Sequence, residues 1–321
     1  MNILLSVHMY LPFHKAGAEN YAHNIAKRLV ERGFHVRVLM HRYWGSPKDC
    51  QMYVLDGVEV FPPSSQETLN ELFRWCHVCL SHLDFFKYSV WKCKEMNKPC
   101  VFMAHSHSHY YDDIINTNDH VFAIHNAEWI ANELPYKRPS MTFEPIVDDT
   151  CLAESKGREY ITLVNICELK GAELFYRLAE LMPDKKFLAV EGSYNEQIVK
   201  DLPNVTFWKR TDIKNVFEVT KVLLMPSEEE SWGMTAAEAL ANGIPVICTP
   251  TPGLKENCSY AGQYLDRNEP EKWVSLLKKL DNPKEYKKWS EAGLKRTSER
   301  PNRIDELVQF LYRAYEYKLQ R

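Results

Sequence analysis

Nowhere in the 321 residues does an apolar run approach the roughly 20 positions that a membrane-spanning helix needs. The opening MNILLSVHMYLPF lacks the positively charged leader of a secretory signal, so the expected location is cytoplasmic, with at most peripheral membrane contact. There is no surplus of one charge: 40 Lys and Arg against 43 Asp and Glu leave a net −3, which gives no hint of a nucleic-acid-coating surface but leaves a local basic groove open. The nine cysteines are odd in number and spread along the chain without the dense spacing of a disulfide framework, and they read as reduced thiols. Solenoid repeats and low-complexity tracts are absent. So are the G-x-S-x-G elbow, the P-loop lysine motif and a G-x-G-x-x-G after the first strand, which argues against a nicotinamide oxidoreductase.

What remains is a globular composition, 45% hydrophobic and 26% charged, in a chain longer than one core usually fills. Residues 3–7 form a short apolar run that fits a buried parallel strand. Ala22, Ile25, Ala26, Leu29 and Val30 then repeat at helical spacing, Gly33 ends that helix, and residues 35–40 return as a strand, so the first forty residues predict one βαβ unit. Further strands are expected at 78–81, 100–104 and 120–124. Residues 144–156, with Pro145 and two aspartates, form the best boundary. A second series follows: strands at 160–166, 187–191, 205–208, 222–226 and 244–249, and helices at 172–181, 212–219 and 234–242. The fold class is therefore α/β, with doubly wound parallel sheets in residues 1–148 and 149–300. An amphipathic helix within 301–321 is expected to pack across both.

The most informative stretch is MPSEEESWGMTAAEALANGIPVICT, residues 225–249. It runs strand, loop, helix, strand, and open α/β sheets take ligands beyond the carboxyl ends of their strands. Glu230 falls in the loop and Glu238 eight residues later in the helix. Trp232 and Gly233 let the backbone approach a ligand, while the unpaired first-turn amides offer a site for a diphosphate. Carboxylates suit sugar and ribose hydroxyls because they accept hydrogen bonds strongly.

This segment resembles the signature of the retaining GT-B glycosyltransferases of family 4, P-S-x-x-E-x-(F/W)-G-x-x-x-x-E-A-x-A-x-G-x-P-V. Pro226, Ser227, Glu230, Trp232, Gly233, Glu238, Ala239, Ala241, Gly243, Pro245 and Val246 fit it. The resemblance implies two Rossmann-like domains facing across a cleft, the first binding the acceptor and the second a nucleotide sugar. It implies that Glu230 touches the donor sugar and supports developing positive charge, and that Glu238 holds the ribose. Ser231, Met234 and Thr235 would line the donor beside Trp232 and Gly233. Lys170 and Gly171, in NICELKG, match the family's K-G, whose lysine neutralises the departing diphosphate. Where the family has a glycine–arginine pair before that lysine, this chain has Asn165 and Ile166; Lys209 or Arg210 could replace the missing cation, or they form a solvated surface pair.

In the first half, HKAGAEN resembles the family's G-G-x-E opening, with Ala16 in place of one glycine, Gly17 near the phosphates, and Glu19 read as a first-turn helix residue rather than a catalyst. His105, in KPCVFMAHSHSH, matches the histidine beside the transferred sugar, and His82 is a weaker match. Gly253 and Glu256 resemble a late loop of the donor domain. The scheme needs no cofactor and no metal.

All twelve histidines lie between His8 and His125, and the alternation of His105, His107 and His109 could aim three imidazoles at one zinc ion; no fourth ligand can be named. Cys76 and Cys79 read as one apolar helix face. The aromatic and basic stretch from Phe73 to Lys94 is either helices packed on a sheet or a surface for lipid or bases. Acceptor candidates are a saccharide, a lipid-linked saccharide, a small metabolite or a hydroxylated nucleic-acid base. Two other functions stay open: a non-catalytic nucleotide-sugar-binding protein, and a sugar-nucleotide epimerase of the same fold.

Overall fold

The computed structural model describes residues 1–42, 50–63 and 65–319. It comprises two compact units, Met1–Ile146 with the chain from Asn302 onward, and Val147–Pro301.

The first unit carries strands β1 (Asn2–Val7), β2 (His35–Met40), β3 (Tyr53–Leu55), β4 (Val58–Phe61), β5 (Val78–Ser81), β6 (Cys100–Ala104), β7 (Val121–His125) and β8 (Ser140–Thr142). They form one sheet in the order β3-β4-β2-β1-β5-β6-β7-β8, parallel apart from the β3–β4 hairpin. Helices α1 (Gly17–Glu31), α2 (Gln66–Trp75), α3 (Phe86–Glu95), α4 (Asp112–Thr117) and α5 (Glu128–Glu133) connect them. Residues 3–7 of β1 are fully buried, which is why this strand reads as a continuous apolar run. The helical repeat Ala22, Ile25, Ala26 and Leu29 is the buried face of α1.

The second unit carries β9 (Tyr160–Val164), β10 (Phe187–Val190), β11 (Val205–Trp208), β12 (Thr220–Met225), β13 (Val246–Cys248) and β14 (Gly262–Tyr264). Their order is β11-β10-β9-β12-β13-β14, parallel throughout. Between and after them run α6 (Ala172–Leu181), α7 (Ile213–Val219), α8 (Met234–Ala241), α9 (Pro252–Cys258), α10 (Pro270–Lys279) and α11 (Pro283–Ser298). The last helix, α12 (Ile304–Leu319), was expected to pack across both domains; its buried residues Ile304, Leu307, Phe310, Leu311 and Ala314 join the core of the first unit, with Ile3, Leu5 and Val78.

Several sequence expectations are corrected. Cys76 and Cys79 share no helix: Cys76 caps α2 at its carboxyl end and Cys79 lies in β5. The segment around Gly253 and Glu256 is a helix, α9, because Pro252 suits its first turn and the Thr251 hydroxyl accepts a hydrogen bond from the Leu254 amide at 3.3 Å. In the aromatic and basic stretch, by contrast, the expected packing of helices on the sheet is found, in α2 and α3. Phe73 and Phe86 are buried there, and Lys92 is buried too, donating to Asn70 Oδ1 at 2.9 Å and Glu95 Oε2 at 3.0 Å. Among the described residues, no helix is long and apolar enough to cross a membrane.

Candidate functional site

Each sheet reverses its winding beside its first strand. β2 and β5 flank β1, and β10 and β12 flank β9. Open α/β sheets bind ligands beyond the carboxyl ends of the strands at such a reversal.

In the second unit, the loop after β9 carries Lys170 and the loop after β12 carries Glu230. Their side chains meet: Lys170 Nζ donates to Glu230 Oε1 at 2.6 Å, and the Ser227 hydroxyl donates to the same oxygen at 2.8 Å. Both side chains are mostly buried, 14% and 12% exposed. Burial alone would lower the Lys170 ammonium, but the Glu230 carboxylate and the Tyr194 hydroxyl outweigh it and hold the lysine above its usual value, so it stays charged. Gly171 follows in the left-handed region, φ +84°, and a Cβ there would lie 2.6 Å from the Pro226 carbonyl oxygen. The K-G pair thus reflects a close approach of the β9 loop to the loop that carries Glu230.

Behind that loop, a Cβ on Gly253 would collide with the carbonyl oxygens of Glu230 and Ser231. Asn257 of α9 donates to the carbonyls of Trp232 and Gly233, at 2.9 and 2.7 Å. The Trp232 ring is buried, with the Arg300 guanidinium 4.7 Å from its centroid. Its placement stiffens the turn that leads into α8. Met234 and Thr235 open that helix, half-buried together with Ser231 before it, and Glu238 lies one turn further on.

The gap left by the missing glycine–arginine pair is resolved in part. Asn165 takes the left-handed conformation, φ 65°, that a glycine would adopt, and its Oδ1 accepts from Gln197 at 2.8 Å. Ile166 is fully buried in the core of the unit, a place that suits no cation. Lys209 and Arg210 are exposed after β11, the edge strand of the sheet, where the Arg210 amide donates to Glu191 Oε2 at 3.1 Å. Sequence reasoning missed Ser227 as a partner of Glu230, and it missed Tyr194, Gln197 and Arg267. Arg267 follows β14 and reaches back to the Lys170 loop, donating to the Glu168 carbonyl at 3.2 Å and lying 2.7 Å from Glu228. Only the motif serine carried a signal; the rest are brought close by loops that no spacing reveals.

In the first unit, the switch point gathers histidines. His105, beyond β6, is 2.7 Å from His82, beyond β5, Nε2 to Nδ1. The two strand-ending histidines therefore form one pair. Burial pushes the His105 imidazole down to about 4, with Glu19 pulling upward and His8 downward. His8, beyond β1, has its ring 5.5 Å from that of His82 and its Nε2 3.2 Å from Glu19 Oε1. Glu19 does sit in the first turn of α1, yet it is 2% exposed and contacts His14 as well as His8, which the helix-start reading did not anticipate. Gly17 opens α1 and is exposed, and a Cβ there would meet nothing, so sterics do not demand glycine. Ala16 is extended, φ −128°. The alternating histidines do not converge: His105 faces His82, His107 lies against Trp129, and His109 bonds Asp112 at 2.7 Å.

Residues 16–135 match the family described as Glycosyltransferase Family 4, and residues 193–296 match Glycosyl transferases group 1. The D-inositol 3-phosphate glycosyltransferase of Corynebacterium urealyticum is 32% identical over 71 residues, which is 22% of this chain and 17% of that protein. The chain thus spans about a sixth of the length of that curated relative. Sucrose-phosphate synthase of Thermosynechococcus elongatus superposes with a TM-score of 0.75 at 15% identity, covering 98% of both chains. Anabaena HepE, solved in complex with UDP-glucose, gives 0.75 at 13%, covering 98% of this chain and 99% of its own. Each half thus matches a different glycosyltransferase family model over about a third of the chain, and the two Rossmann-like parallel-sheet units have the GT-B fold.

Proposed function

We propose that the protein transfers a sugar from a nucleoside-diphosphate sugar to an acceptor hydroxyl, retaining the anomeric configuration and requiring no metal. The observation that carries this reading is the triad Lys170–Glu230–Ser227 at the switch point of the second sheet, one turn before the amide-rich start of α8. A charged lysine that is mostly shielded from water is suited to stabilise a departing diphosphate, and it acts there without a metal. Glu230, held by Ser227, accepts hydrogen bonds from the donor sugar and faces the positive charge that develops at its anomeric carbon. Glu238 receives the ribose. The acceptor hydroxyl attacks from the face the diphosphate leaves, and a phosphate oxygen takes its proton. His105, held neutral by burial, would bond the transferred sugar or the acceptor. The UDP-glucose complex of HepE favours a UDP-hexose donor. The eight buried cysteines are free thiols, which suits a reducing compartment such as the cytoplasm.

A second reading, a binder without turnover, draws on Ile166, which occupies the position of the family's arginine. A thermal-shift screen of UDP- and GDP-sugars, followed by mass spectrometry of acceptor mixtures with the best donor, separates the two. Transfer or donor hydrolysis that disappears in Lys170→Ala supports the enzyme. Donor binding with no product and no hydrolysis supports the binder.

A further inference from the structure

Glu19 has an unusual environment. Its side chain is 2% exposed, and Oε2 has no hydrogen-bond partner among the described residues. His14 Nδ1 approaches that oxygen to 3.2 Å without a well-directed bond, while His8 Nε2 lies 3.2 Å from Oε1. Two further ring nitrogens, His8 Nδ1 and His82 Nε2, are also buried without a partner. Groups left unmatched in this way are uncommon inside proteins, and here they share one place, beyond β1 and β5 at the reversal of the first sheet. Tyr21 closes the far side, its ring edge-on to His105 at 5.3 Å. His14, with 24% of its side chain exposed, forms the outer rim.

We propose that Glu19, His8 and His14, backed by the His82–His105 pair, form a binding subsite for an uncharged polyhydroxylated molecule, a sugar or polyol. Under the transferase reading, on which this step rests, that molecule is the acceptor.

Hydrogen-bond chemistry selects the class. A carboxylate only accepts, whereas a neutral imidazole offers one donor and one acceptor. A hydroxyl, which both donates and accepts, satisfies such a mixed set. A phosphate offers Glu19 no donor and adds like charge. Nor does the first unit offer a fully buried cation to receive it: among its described residues, Lys92, 4% exposed, is the sole Lys or Arg buried to that extent, and it is held by Asn70 and Glu95. Arg42, whose charge is felt at His8, is paired with Asp84 at 3.1 Å, and Lys15 beside His14 is exposed. The acceptor is therefore expected to present hydroxyls, not a phosphate, to this cluster.

The test uses the full chain and four probes: myo-inositol, methyl α-glucoside, inositol 1-phosphate and glucose 6-phosphate, each followed by saturation-transfer NMR without any donor. We expect both neutral probes to bind the wild type, Glu19→Gln to weaken them at least tenfold, and the phosphorylated probes to bind at least tenfold more weakly than their neutral partners. Binding of neither neutral probe at 10 mM, equal binding in Glu19→Gln, or a preference for the phosphorylated probes overturns the assignment. Should Glu19→Gln fail to fold, the wild-type histidine ring spectrum decides: inositol must shift the His8 and His14 signals and leave His35 and His77 in place, and the reverse pattern or no shift overturns it. UDP titration of the same samples keeps the two claims apart. Glu19→Gln leaves UDP affinity within twofold, and a protein that binds inositol but no nucleotide contradicts the transferase reading rather than the subsite.

Discussion

Lys170 Nζ and Glu230 Oε1 stand 2.6 Å apart across 60 residues of sequence, the one ending the loop after β9 and the other in the loop after β12. Adjacent parallel strands bring their carboxyl ends together, so two loops distant in the chain become neighbours. A pair this shielded is stable only because each charge answers the other. Removing one leaves the other poorly solvated, at a cost of about 1–3 kcal/mol for a pair that keeps some contact with water.

Ser227→Ala removes the hydroxyl that steadies Glu230 and leaves the lysine in place. A hydrogen bond to a charged group contributes about 1.5–3 kcal/mol, so transfer should fall roughly 10- to 100-fold. Steady-state rates alongside melting temperatures check this; a rate within twofold of wild type removes Ser227 from the account.

Gly253→Ala places a methyl against the carbonyls of Glu230 and Ser231. The turn must shift or the helix must retreat, and overpacking of this kind costs about 1–3 kcal/mol. Urea denaturation should report that loss, and donor affinity should fall with it.

Ile166→Arg, which restores the residue type of the family's motif, should fail. The side chain at this position is fully buried among apolar neighbours, so the guanidinium enters the core without a partner. A loss of about 3 kcal/mol or more in urea unfolding, with no gain in nucleotide affinity, is the expected outcome.

Acid should destabilise the first unit. Burial holds His41 and His105 at about 4, below the ordinary 6.5. Between those values the unfolded chain binds more protons than the folded one, so the stability they contribute is present above pH 6.5 and is lost as pH falls towards 4. Because both rings keep some exposure, about 1–2 kcal/mol each is expected. Urea midpoints at pH 7.5 and 4.5, compared with a His41→Asn, His105→Asn double variant, measure it.

Much of the fold was legible because its strands are buried on both faces and its helices show one apolar stripe. β1, α1, β5, β6 and the strands and helices from β9 to β13 follow directly from those patterns. β3, β4, β8 and β14 did not, since each is three or four residues long and none is a continuous buried apolar run. Glu230, Lys170 and Gly171 were singled out by the motif resemblance, and the structure brings the Lys170 and Glu230 side chains together. Glu19 lies in the first turn of α1 as expected, but its contacts with His8, beyond a strand, and His14, before the helix, are ones a helical repeat cannot report. Arg267 and Tyr194 reach the Lys170 loop from parts of the chain with no motif at all.

The central claim is that Lys170 and Glu230 grip an activated sugar, and calorimetric titration of the better of UDP and GDP tests it most directly. The account predicts saturable binding to the wild type, weakened roughly 30-fold or more in Lys170→Met, about 2 kcal/mol for a lost charge-assisted contact. In Glu230→Gln the nucleotide alone should bind within about threefold of wild type, while the corresponding nucleotide sugar loses affinity. No nucleotide binding by the wild type, or equal binding by Lys170→Met, would contradict it.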